Sequence, residues 1–350
     1  MPPSPPDSGS AEHVARAEAL LDILHGNWKT QAVCVAAELR LAELLADGPR
    51  TAEDLAATAG VHVQALHRLL RALTTLDLCT ELADGRFQIT ATGALLATDS
   101  PGSLRSWALW WASHLGPVWQ HLLYSIKTGQ SARQMLMGAE GFEHLQRDTD
   151  TATLFHRALA DLTRLTAQNV VHTYDFAGLK QIVDVGGGYG ELLTAILNAH
   201  PTTTGILFDQ PHAITGAQAA VAQAGLADRC QCVAGDFFES VPAGGDAYLL
   251  KTILHDWTDA DARRILVNCR HAMSPSARLL IIEQVLPDRL TNAPAHQSNV
   301  RSDLNMLVAL GAGERTQARF RQLLHDAGLR QTRVLPAGRF FTVIEAQATA

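Results

Sequence analysis

Gln181-Ile182-Val183-Asp184-Val185-Gly186-Gly187-Gly188-Tyr189-Gly190 decides how this chain reads. A short apolar run breaks into four glycines within five positions, and helical periodicity follows from 191 to 200. That is a strand, a tight turn and a helix start. Residues without Cβ let a ligand approach the backbone, and the first N–H groups of the helix point into the turn unpaired. A small molecule is expected there. A dinucleotide fingerprint, G-x-G-x-x-G, would need glycine at 191 or 193, where the chain has Glu191 and Leu193. Glu191 sets a negative charge where a pyrophosphate would lie, so a phosphate-free, cationic ligand fits better. The next strand, Thr204–Asp209, ends in a carboxylate, the group that takes ribose hydroxyls in this architecture. The competing explanation is an ordinary tight turn. The order of strand, turn, helix and acidic strand end favours a ligand.

Outward from this stretch, strand and helix patterns alternate. Apolar runs near 181–186, 204–209, 230–235, 246–252 and 277–286 read as strands, with helices near 191–200, 213–225 and 260–273. This predicts a doubly wound parallel sheet. Helices follow at 304–310 and 316–327. Two closing strands, 332–335 and 340–346, are separated only by Pro336-Ala337-Gly338, so they form a hairpin and the last strand runs antiparallel.

A chain of 350 residues predicts two domains. The segment 12–47 is helical in pattern and breaks at Gly48-Pro49. Thr51-Ala52-Glu53-Asp54 reads as an N-cap with acids in the first turn. That helix stops at Gly60, a second covers 63–76, and strands at 79–82 and 86–90 turn about Asp84-Gly85. The pattern is a winged helix, which raises the possibility of a DNA-binding ligand sensor. Its would-be recognition helix carries only His67, Arg68 and Arg71, too little charge for phosphate contacts. Leu66, Leu69, Leu70 and Leu73 suit a core and an interface, so a dimerisation module is the better reading. The aromatic segment 103–126 reads as a helical core stripe for most of its rings, but Trp110 and Trp111 point to neighbouring helix faces and suit the walls of a site for a flat aromatic. Helices linking the two halves are expected from 141 to 169.

A net charge of −7 gives no electrostatic reason to expect nucleic acid. Cys34, Cys79, Cys230, Cys232 and Cys269 form no metal-ligand spacing and are odd in number, which fits buried thiols in a reducing compartment. The proline-rich residues 1–10 read as a disordered tail without the apolar run of a signal sequence. No stretch suits a bilayer, so a soluble, cytoplasmic protein is expected.

Ligands of open α/β sheets lie beyond the carboxyl ends of the strands. Those ends are Gly186, Asp209, Asp236 with Phe237, the residues 251–255, and Glu283. Gly235-Asp236-Phe237-Phe238 suits an adenine, though a capping turn with core phenylalanines explains it equally well. His255, in His255-Asp256-Trp257, is expected to be largely neutral at pH 7 and able to remove a proton, since an unperturbed histidine has a pKa of about 6.5. A histidine packed at a helix start is the plainer alternative. Against it stand Glu283 and Glu314, two carboxylates placed to orient the imidazole and hold its cation.

Asp184-Val-Gly-Gly-Gly-Tyr-Gly190, Phe208-Asp209-Gln-Pro211, Gly235-Asp-Phe-Phe238, Leu250-Lys-Thr-Ile-Leu-His-Asp-Trp257, Glu283-Gln-Val-Leu-Pro287 and Gly313-Glu-Arg-Thr316 occur in that order. Together they resemble the S-adenosylmethionine-dependent O-methyltransferases of the caffeate and hydroxyindole type, the bacterial tailoring enzymes of secondary metabolism among them. The resemblance spans nearly the whole chain. It implies a Rossmann-like class I methyltransferase sheet at 176–350, an all-α, winged-helix dimerisation domain at 11–100, and helices at 101–175 that help form the acceptor pocket. By position it implies S-adenosylmethionine at Gly186, Gly188, Asp209, Gly235, Asp236, Phe237 and Lys251, with Asp209 on the ribose. It implies His255 as general base with Asp256 beside it, Glu283 and Glu314 flanking it, and Met306 lining the acceptor pocket. Leu310 stands where plant members carry asparagine, which disfavours a plant phenylpropanoid acceptor. Phe237 matches the bacterial members. The resemblance further implies a small aromatic acceptor and a homodimer, and because a sulfonium methyl is already activated no metal is expected. Some relatives have exchanged methyl transfer for hydroxylation, decarboxylation or pericyclic chemistry, and N-methylation is a further alternative.

Overall fold

The computed structural model describes residues 8–98, 100–138 and 142–349. Of the expected tail, residues 1–7 lie outside this range, and Ser8 already opens helix α1 (Ser8–Leu24). The chain divides into two compact units, Met1–Ala112 and Ser113–Ala350.

In the first unit, α2 (Gly26–Glu38), α3 (Ala52–Ala59) and α4 (Val63–Thr75) precede a hairpin of β1 (Cys79–Glu81) and β2 (Phe87–Ile89). Thr51 caps α3 through its hydroxyl, which accepts the Asp54 N–H at 3.1 Å, and Gly60 closes it in the left-handed region at φ 69°. Leu66, Leu70 and Leu73 recur at helical spacing on α4 and are buried together with Leu55 and Phe87. The apolar side chains of α1 face outward instead: Ile23 is 75% exposed, and Trp28 at the start of α2 is 68% exposed.

The second unit is built on one seven-stranded sheet. After the long helix α5 (Thr149–Thr173) come β3 (Gln181–Val185), α6 (Glu191–Ala199), β4 (Thr204–Asp209), α7 (Pro211–Gln223), β5 (Cys230–Ala234) and β6 (Ala247–Lys251). Then follow α8 (Asp259–Ala272), β7 (Arg278–Glu283), α9 (Pro294–Leu310), α10 (Gln317–Asp326), β8 (Leu329–Ala337) and β9 (Phe341–Ala348). The strand order is β8-β9-β7-β6-β3-β4-β5. The five strands from β7 to β5 are mutually parallel, and β9 runs antiparallel to β7, as the hairpin signal at 336–338 requires. The strands β3, β6 and β7 are apolar almost throughout because helices cover both faces. From β3 the chain winds outward to β5, then returns to lay β6 on the other side of β3. The carboxyl ends of β3 and β6 therefore meet at a topological switch point, where this class of sheet opens a crevice.

The five cysteines are free thiols, and all but the half-buried Cys232 are buried. No helix among the described residues is long and apolar enough to cross a membrane.

Candidate active site

At the switch point, β3 ends in a turn that glycine alone can make. Gly186 has φ 72°, and a Cβ there would stand 2.5 Å from Ile253 Cδ1. The turn is pinned by Asp209 at the end of β4, whose Oδ2 accepts the Gly188 N–H at 2.7 Å and whose Oδ1 accepts the Gln210 N–H at 2.6 Å. Above it lies a cavity open to solvent, whose empty space together with that of its mouth is about 910 Å³. Gly186, Gly188, Asp209, Phe237 and Lys251 line it, as the sequence predicts. Its aromatic wall comes from Phe142, Phe155, Phe237 and Trp257. Four acids line it, Asp184, Glu191, Asp209 and Asp256. Glu191 is paired with Arg164 Nη1 at 2.7 Å. Burial pushes Asp184 up to about 7 against the pull of Lys251, and Lys251 down to about 8 against Glu283 and Asp184.

Not every predicted residue reaches this cavity. Asp236 caps its own turn, its Oδ1 accepting the Phe238 N–H at 2.8 Å, and neither it nor Gly235 lines the cavity. Gly235 answers a packing demand, because a Cβ there would lie 2.4 Å from Phe208 Cε2. Met306 is buried on α9, and Leu310 ends the same helix; neither lines the cavity. Trp110 belongs to the first unit, at the end of the short helix Arg105–Trp110.

His255 sits in a single 3-10 turn, Leu254–Asp256, after β6. The chain enters this turn through Thr252, whose φ of 51° is a costly conformation for a β-branched residue. Two other segments and its own turn bring carboxylates to the imidazole. Nδ1 is 2.8 Å from Glu314 Oε1 and 3.5 Å from Glu283 Oε2, and Nε2 is 3.3 Å from Asp256 Oδ1. The imidazole and both glutamates are buried, while Asp256 lines the cavity. These contacts bring together the four residues that the sequence singles out for proton chemistry.

The ionisation expected from the sequence is corrected. Burial opposes charge on His255 more than any other single influence, but Glu283, Asp256 and Glu314 together outweigh it and raise the imidazole to about 10. A neutral histidine at pH 7 is replaced by an imidazolium held among carboxylates. Burial in turn pushes Asp256 up to about 6 and Glu283 up to about 7, with His255 opposing both. The ligand atoms of His255, Glu283 and Glu314 lie within 4.8 Å of one another, a spacing a divalent cation also accepts.

Two supports escaped the sequence reading. Ser302 Oγ donates to Glu314 Oε1 at 2.6 Å, the same oxygen that meets His255. Arg315 clamps the turn from outside: Nη1 donates to the Leu254 carbonyl at 2.5 Å, Nη2 to the Trp257 carbonyl at 2.7 Å, and Nε to Asp259 Oδ1 at 2.7 Å. The clamp holds the backbone on both sides of the imidazole.

Residues 119–330 match the family model of the O-methyltransferase domain, and residues 21–99 that of the O-methyltransferase dimerisation domain. The chain belongs to the O-methyltransferase family. It is an S-adenosylmethionine-dependent methyltransferase with a Rossmann-like mixed sheet and an N-terminal helical dimerisation domain. The phenazine O-methyltransferase PhzM of Lysobacter antibioticus is 40% identical over 97% of this chain and 99% of its own. The 8-amino-8-demethylriboflavin N,N-dimethyltransferase of Streptomyces davaonensis is 35% identical over 90% of each chain. Among solved structures, the O-methyltransferase from neocarzinostatin biosynthesis, in complex with S-adenosylmethionine and 2-hydroxy-5-methyl naphthoic acid, superposes with a TM-score of 0.76. It is 33% identical over 91% of this chain and 95% of that one. Methyltransferases of this kind thus include both O- and N-methylating relatives.

The cavity of this methyltransferase suits the donor on its own evidence. It offers a turn open to a ligand at Gly188, a carboxylate in place for a diol, an excess of acid for a cation, and buried histidine nitrogens without a hydrogen bond of good geometry. Gly235→Ala separates packing from binding. It is expected to cost about 1–3 kcal/mol through overpacking against Phe208, read as a lower Tm, with affinity for S-adenosylhomocysteine within about twofold.

Proposed function

We propose that the protein transfers a methyl group from S-adenosylmethionine to a hydroxyl of a small aromatic secondary metabolite, with His255 as the proton acceptor and Glu314 and Glu283 holding its cationic form. The observation that carries this reading is the 2.8 Å contact between His255 Nδ1 and Glu314 Oε1, with Asp256, beside Nε2, on the cavity wall. Nδ1 is engaged by the glutamates, which leaves Nε2 as the atom to take the proton. When bound, the donor supplies an activated sulfonium methyl, which asks for no metal. Gly186, Gly188, Asp209 and Lys251 are the residues that would hold it, and Phe237 and Trp257 supply apolar walls that exclude water. A phenol has a pKa near that of tyrosine, about 10, and is a poor nucleophile until it is deprotonated. An imidazole raised to the same range is matched to that proton.

We assign dimerisation to the first unit, on the family match at 21–99 and the exposed apolar residues of α1 and α2. The N,N-dimethyltransferase relative favours a second reading, in which the acceptor atom is an aromatic amine. The test is a panel of hydroxylated and aminated aromatics incubated with methyl-labelled donor and read by mass. One methylated hydroxyl per S-adenosylhomocysteine is expected. Labelled amine products support the second reading. Turnover of an acceptor without any S-adenosylhomocysteine points to a non-methylating reaction on this scaffold and sinks the proposal.

A further inference from the structure

At the end of the cavity nearest the glycine turn are two histidines that the proton chemistry leaves unused. His156, on α5, is buried and stacks on Tyr189, with centroids 5.2 Å apart and planes at 28°. Its ring meets that of His212, in the first turn of α7, edge to face at 5.1 Å. Both line the cavity. A Cβ at Gly188 would stand 3.9 Å from His156 Nδ1, so the open side of the turn faces this ring. His156 Nε2 and both nitrogens of His212 are shut off from solvent and make no hydrogen bond of good geometry, the Gln210 backbone acting on His212 only as a weak partner. An orphaned buried polar atom is costly. Three poorly satisfied nitrogens gathered on the wall of a binding cavity mark a site that its ligand completes.

Hydrogen-bond accounting says which part of the ligand. A carboxylate only accepts, so Asp209 takes the protons of two ribose hydroxyls and leaves their oxygens short of donors. The Gly188 and Gln210 N–H groups next to it are already spent on Asp209 itself. We propose that His156 and His212 supply those missing donors and form, with Asp209, the grip on the ribose diol of the donor's nucleoside. The inference rests on the methyl-donor reading above. Both rings are suited to it. Burial, reinforced by His212, holds His156 down to about 3, and burial also lowers His212 against the pull of Asp209. Each neutral ring offers one N–H and one lone pair, and neither sets a positive charge beside a sulfonium.

The test is calorimetry with S-adenosylhomocysteine on His156→Phe, which keeps a ring against Tyr189, and His212→Phe, which keeps one against His156. Each variant is expected to bind about tenfold more weakly, the loss of one hydrogen bond to a buried partner. Removing one ribose hydroxyl from the ligand should weaken the wild type by a similar factor and at least one of the variants by under about threefold. Binding within about twofold of wild type in both variants overturns the proposal, as does an undiminished deoxy penalty in both. Should a variant fail to fold, the ring nitrogen resonances of ¹⁵N-histidine in the wild type decide. Shifts of both histidines on adding S-adenosylhomocysteine support the grip, and unmoved resonances overturn it. Failure of the wild type to bind S-adenosylhomocysteine at all would instead sink the donor reading.

Discussion

Replacing His255 with alanine is expected to lower turnover by about three orders of magnitude, within the range typical of a positioned acid–base group, and to leave affinity for S-adenosylhomocysteine within about twofold. The two effects separate because the imidazole is engaged by Glu314, Glu283 and Asp256 and does not itself line the cavity, while Gly188 and Asp209 make their contacts without it. Removing the cation leaves buried carboxylates facing one another. They answer by taking up protons, since Asp256 and Glu283 are held down chiefly by His255. The variant should therefore fold, with extra protons bound near neutral pH. Single-turnover rates at saturating donor and acceptor give the chemical step directly. A rate within about tenfold of wild type would remove His255 from the reaction.

How much of this was legible in the chain depends on the distance over which each signal acts. The glycine turn and the acid of Asp209 are local signals, and both lie where their order in the sequence puts them. The closing hairpin was legible for the same reason, its turn residues lying between two apolar runs. What escaped is what packing decides. Asp236 spends one carboxylate oxygen on its own backbone and does not line the cavity, while Phe237 beside it does, a division that the motif alone does not convey. His156 arrives from α5, remote in sequence from the turn it covers, and nothing in an amphipathic helix says which histidine faces a cavity. The Arg315 clamp joins carbonyls about 60 residues upstream. The charge on His255 is the property that the sequence conveys least. An isolated imidazole titrates near 6.5, and it is lifted by the neighbouring Asp256 together with two glutamates brought in from elsewhere in the chain.

That charge leads to the second large expectation, a steep pH dependence. A base must be unprotonated to act. With the imidazole raised to about 10, its neutral fraction falls about tenfold for each pH unit below that value. The kcat/KM for the acceptor should thus climb about tenfold per unit from pH 7.5 to 9.5 and level off near 10. An ordinary histidine would have levelled off by about pH 7.5. Asp256 and Glu283, at about 6 and 7, lose charge as the pH falls through those values. Less negative charge then holds the imidazolium, so the slope should soften below pH 7. Binding of a neutral phenol expels the imidazole's proton, which calorimetry in buffers of different ionisation enthalpy reads as about one proton released near pH 8. Glu314→Gln tests the cause, because the amide oxygen can still accept from Ser302 while one carboxylate is lost. Its plateau should begin at lower pH than that of the wild type, and its turnover on the plateau should fall as the imidazolium loses a partner. A wild-type profile that is flat between pH 7 and 9, with no proton released on binding, would mean that the acceptor's proton leaves by another route.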